Sequence, residues 1–196
     1  LSDCSCEFDP QNATERKTLV TVLAINAFMF VSEFTVGLFA ESTGLTADSL
    51  DMLADAMVYA VSLYAVGRSG STRRRAAYGS GMFQIALAVG VLIDVIRRFI
   101  VGSDPVSGLM MGFGGMALLA NIACLLLLAK HRKGEVHMRA SWIFSTNDVI
   151  ANVGLILSGA LVWVTASRYP DLVIGLIISL FVVSGGIRIV RDASRS

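Results

Sequence analysis

Cysteine, histidine and charge are all scarce in this chain of 196 residues, which holds 3 Cys, 2 His and only 16% Asp, Glu, Lys and Arg. Cys4, Cys6 and Cys124 are too few and too scattered for a disulfide framework, and Cys124 sits in an apolar run where a thiol packs as a small hydrophobe. A formal net charge of +1 gives no basic excess of the kind that binds nucleic acid, and no nucleic-acid partner is expected. No long linker or low-complexity tract interrupts the chain. The opening LSDCSCEFDPQNATERK is acidic and polar, and the apolar run after it is of spanning length, so no cleavable leader is expected. Leu1 is not an initiator Met, so at least one residue is expected before it.

Apolar residues are what the chain has in abundance. At 55% hydrophobic residues and a mean hydropathy of +0.69 it reads as an integral membrane protein. A hydrocarbon core of ~30 Å takes about 20 helical residues. Six runs meet that length, near residues 18–40, 47–67, 81–102, 108–130, 140–165 and 169–190. The expected fold is all-α, a polytopic bundle of six transmembrane helices. Its expected divisions are an N-terminal segment (1–17), the membrane domain (18–190) and a short tail (191–196), with no soluble domain beyond. Of the 16 Lys and Arg residues, all but Arg97, Arg98 and Arg168 fall in the two ends or the second and fourth connections. The positive-inside rule then puts both termini in the cytoplasm, and the expected location is a bacterial inner membrane. Small residues four apart (Ala86 with Gly90, Gly108 with Gly112, Gly175 with Ser179) predict close helix contacts.

The second run, ADSLDMLADAMVYAVSLYAV, carries Asp48, Asp51 and Asp55 within an arc of about 60° on one helical face. A carboxylate at the membrane centre costs about 2.5–3.5 kcal/mol on insertion scales, so this stripe has to face protein or water. Asp48 suits a helix cap reaching toward the interface; Asp51 and Asp55, deeper, suit cation ligands. In the fifth run Ser141, Ser145, Asp148 and Asn152 share a polar face, also about 60° wide. Asp55 and Asp148 are predicted at similar depth, near the midplane, so that three carboxylates converge from two helices. Such a group repels itself unless a dication or shared protons offset its charge, and binding one excludes the other. That exclusivity is the chemistry of an antiporter, although the residues alone also describe a cation channel.

ESTGLTADSLDMLADA, at Glu41 to Ala56, resembles the second-helix entrance of the cation diffusion facilitator family, whose metal-binding pair maps to Asp51 and Asp55. DVIANVGLI resembles the segment following that family's fifth-helix Asp, here Asp148. Asn121 matches a family Asn in the fourth helix, and RYPDLVIGLIISLFVVSGGIRIVRDA is similar to the sixth-helix signature, with Asp171 as its Asp. The resemblance implies export of a divalent transition metal in exchange for protons, with no prosthetic group. Zinc leads, followed by cadmium, cobalt, iron and manganese; an oxygen-rich site without His also suits harder ions. It also points to two departures. The family's usual fourth ligand position is Phe144, which leaves Ser145, Asn152, Asn121 or water to complete the shell. The family's cytoplasmic metallochaperone-like domain has no counterpart after the sixth run, so a homodimer would be held through the membrane helices or by lipid. A membrane scaffold or metal sensor on the same fold is the alternative.

Other polar residues have two readings each. Glu33 and Asn26 share a face of the first run and either line the cavity or bond to a neighbouring helix. Asp94 precedes Arg97 and Arg98 at helical spacing and predicts an interfacial ion pair. Cys4 and Cys6 form a CxC that either captures a soft dication or frays with the terminus. His131 and His137, in the basic fourth connection, are read as solvated.

Overall fold

The computed structural model describes residues 13–65, 70–129 and 136–195, with side chains from Arg16 in the first helix and from Asp148 in the fifth. They form six helices: α1 (Ala13–Phe39), α2 (Thr43–Ala65), α3 (Gly70–Val101), α4 (Ser107–Ala129), α5 (Val136–Thr165) and α6 (Tyr169–Arg195). No strand occurs among the described residues. Five of the helices are long and apolar enough to cross a membrane. The sixth, α2, equals α4 in length at 23 residues but carries the three aspartates. It is also the one helix that packs against all five others, so the bundle itself shields its acids. The chain is a multi-pass membrane protein.

The helices outrun the apolar runs that announced them. α3 begins at Gly70 rather than 81, so Arg74 and Arg75 ride on a helix instead of a loop. α6 continues to Arg195, so the tail read at 191–196 is helical through that residue. Hydropathy marks only the stretch that lipid covers; Arg and Ala favour helix just as well in water, and the backbone continues past the interface.

Helix contacts follow the small residues, but not all of those expected. A Cβ on Gly175 would lie 2.8 Å from the Thr43 hydroxyl, and one on Gly186 would lie 2.7 Å from Ile85 and 3.0 Å from the Gly81 carbonyl. These are the close approaches of α6 to α2 and to α3. Gly90, Gly108 and Gly112, in contrast, have nothing within 4 Å. The perimeter is apolar, with Phe39, Ile100 and Trp163 each more than 70% exposed, as a lipid-facing surface requires.

The connections 40–42, 102–106 and 166–168 meet at one end of the bundle. The Val106 amide donates to the Ala40 carbonyl at 3.0 Å, and the Asp104 amide to Glu41 Oε2 at 3.2 Å. There Arg168 reaches the Phe99 carbonyl at 3.4 Å. Glu41 and Ala166, just past α1 and α5, have positive φ, the left-handed turn that ends a helix. Asp94 near the end of α3 accepts from Arg98 Nε at 2.6 Å and Arg97 Nε at 2.9 Å, the ion pair its spacing predicts.

Candidate functional site

α2 is anchored where the connections meet. Ser42 Oγ accepts from the Leu45 amide at 3.1 Å, an ordinary N-cap. A second acceptor comes from α6. Asp171, with no exposed surface, accepts from Ser42 Oγ (2.6 Å) and the Gly44 amide (3.0 Å) on one oxygen. On the other it accepts from the Thr43 amide (2.7 Å) and hydroxyl (2.9 Å). A carboxylate at a helix N-terminus also meets the positive end of the helix dipole.

Because the cap starts α2 at Thr43, Asp48 is not the cap expected of it. It sits beyond the first turn, 1% exposed, and faces Glu33 of α1, which is fully buried. Neither Glu33 oxygen nor Asp48 Oδ2 has a hydroxyl or amide partner, and the two carboxyl groups are within hydrogen-bonding reach of each other. The neighbouring hydroxyl or amide that would have made Glu33 structural is absent among the described residues. Two carboxyl groups thus confront each other with no hydroxyl or amide donor between them, an arrangement that requires a shared proton or a cation.

Below this pair, Asp51 and Asp55 of α2 are both within hydrogen-bonding reach of Asp148 of α5. All three are only partly buried. Helix geometry brings them level: Asp55 stands ten residues before the end of α2 at Ala65, and Asp148 twelve after the start of α5 at Val136. A cleft lined by Asp48, Asp51, Met52, Asn121 and Asp148 lies between the helices, too tight to admit a water-sized sphere. As the side chains stand, no three His, Cys, Asp or Glu among the described residues surround a common point that could hold a metal ion. The carboxyl groups of Asp51 and Asp55 are instead engaged with that of Asp148.

Three buried amides surround the acids. Asn152 donates from Nδ2 to the Asp148 carbonyl at 2.7 Å, leaving its Oδ1 without a partner. Asn121, 1% exposed, lines the cleft with a free Nδ2. Asn26 donates to the Val22 carbonyl at 2.9 Å and to Cys124 Sγ at 3.8 Å, with Oδ1 unpaired. Cys124 itself packs among Leu19, Val22, Tyr59 and Leu128. The Ser145 side chain, Cys4, Cys6, His131 and the His137 side chain lie outside the described residues. The role of Asp171 was not legible from spacing; its signal was a lone acid opening α6 while hydroxyl and glycine residues open α2.

Known proteins resemble this chain over most of its length. Zinc transporter ZitB of Escherichia coli is 25% identical over 94% of this chain, and metal tolerance protein A2 of Arabidopsis thaliana 24% identical over 96%. The vacuolar zinc transporter ZRC1 of Saccharomyces cerevisiae is 26% identical over 61%. The chain spans 63% of the length of the first two and 30% of the third. Residues 19–196 match the cation efflux transmembrane domain, and the chain therefore belongs to the cation efflux family, the cation diffusion facilitators.

Proposed function

We propose that this protein is a secondary transporter that exports a divalent transition metal, zinc first, from the cytoplasm in exchange for protons. The observation that carries the reading is the meeting of Asp51, Asp55 and Asp148, from two helices, inside a membrane bundle. Acids so placed are stable only when a cation or protons share them, so loading one cargo expels the other. Asp51, Asp55 and Asp148 are the ligands in this reading. Asn152 supplies the fourth donor through its unpaired Oδ1, in place of the family position occupied by Phe144. Asn121 lines the approach. Cadmium, cobalt, iron and manganese are the competing cargoes, because an oxygen-rich donor set discriminates weakly. Both termini face the cytoplasm of a bacterial inner membrane, and the protein works as a homodimer held through its membrane helices.

The test is flux of a metal panel into liposomes holding the purified protein, with and without a pH gradient. Zinc uptake that accelerates with an opposing proton gradient is expected. Flux indifferent to that gradient points to a uniporter or channel; metal binding without flux points to a sensor or scaffold.

A further inference from the structure

The Asp171 corner holds more acceptors than a helix cap needs. Ser42 already closes the first turn of α2 from within its own chain segment. Asp171 adds a tie from a different helix, made twice over on each carboxylate oxygen, and its own backbone carbonyl accepts from the Thr43 hydroxyl at 3.0 Å. One turn along α6, Gly175 leaves room for Thr43 to sit against the helix backbone, with a Cβ there placed 2.9 Å from the Thr43 carbonyl carbon. Gly44 is equally confined, its Cβ position 2.8 Å from Leu155 of α5. The start of α2 can therefore neither slide nor rotate without breaking several bonds together.

We propose that Asp171 is a positioning residue for the acidic site: by clamping Ser42, Thr43 and Gly44 it fixes the depth and rotation of α2, and so sets Asp51 and Asp55 opposite Asp148. Along a rigid helix Asp51 lies about 12 Å and Asp55 about 18 Å from the clamp. A slip of one residue turns the helix by about 100° and carries both acids off the face they share. Donor chemistry makes the clamp specific to a carboxylate. Four donors converge on two oxygens; the amide of an Asn offers one oxygen and presents its own N–H groups to the remaining donors.

The experiment compares wild type, Asp171→Asn and Asp94→Asn, purified in detergent, by amide hydrogen exchange and by titration with Co2+ as an optical probe. Asp171→Asn is expected to remain helical, to exchange the amides of Thr43 and Gly44 at least about tenfold faster, and to weaken Co2+ binding at least about tenfold with an altered absorption band. Asp94→Asn serves as control and leaves the Co2+ spectrum as in wild type. Should Asp171→Asn not fold, Thr43→Val is nearly isosteric and deletes both hydroxyl bonds while sparing the amide. It is expected to lower Co2+ affinity in the same direction by about threefold, the loss of one modest interaction. Wild-type Co2+ affinity and band shape in the folded variant, even with faster exchange, overturn the positioning role and leave only a cap. The proposal rests on the metal-site reading; a wild-type protein that takes up no Co2+ overturns that reading itself, and the two failures are therefore distinct.

Discussion

Two fully buried carboxyl groups in this bundle have opposite surroundings. Asp171 has every oxygen answered by hydroxyl or amide donors and lies at a helix N-terminus. Glu33 is as deeply buried, yet no hydroxyl or amide answers either oxygen, and the side chain it faces is another acid, Asp48. A buried charge without compensation costs several kcal/mol, so Glu33 and Asp48 need a proton or a cation shared between them. Satisfaction by hydroxyl and amide donors therefore separates these two acids, in a way that burial alone does not.

The largest effect expected from breaking this contrast is at Asp148. Asp148→Asn keeps shape and hydrogen-bonding capacity but deletes a charge, and metal flux in liposomes is expected to fall to background while the protein still inserts and folds. The second test reads stability rather than flux. Asp171→Ala strands four buried donors and is expected to cost about 3 kcal/mol or more in thermal unfolding in detergent. Glu33→Gln moves the other way: its amide gives Asp48 a permanent donor in place of a shared proton, and a stabilisation of about 1 kcal/mol is expected together with impaired flux. If both substitutions destabilise alike, the division between answered and unanswered acids fails.

A third measurement concerns what answers the second group. If protons hold the acids in the absence of metal, zinc binding releases them, and affinity falls by about tenfold per pH unit for each proton displaced. Calorimetry in buffers of different ionisation enthalpy counts those protons; none released would remove the exchange step. The smallest effect belongs to Asp94, already paired with Arg97 and Arg98. An interfacial pair of this kind is worth about 1 kcal/mol or less, and flux of Asp94→Asn is expected within about twofold of wild type.

Helix number, the convergence of the second and fifth helices and the Asp94 ion pair were all legible from periodicity and spacing, because each depends on residues within one or two turns or on depth along a rigid rod. Asp48 was misread as a cap because the hydropathic run starts at Ala47, whereas the helix starts at Thr43, where a polar first turn hides it. Asp171 meets Thr43 across 128 positions of sequence, a distance no local pattern reports. The glycines divide likewise: Gly175 packs and Gly112 does not, since spacing identifies a candidate face without saying whether another helix covers it.

The three aspartates of α2 bear on biogenesis as well as on the proposed transport. Translocation machinery releases a segment into lipid according to its own hydrophobicity, and at about 2.5–3.5 kcal/mol for each central acid α2 is a poor candidate for solitary release. Its contacts with every other helix are complete only when α5 and α6 have been synthesised. Mutations that slow assembly of the later helices should thus expose α2 to membrane quality control, and loss of protein from the membrane would precede any loss of flux per molecule.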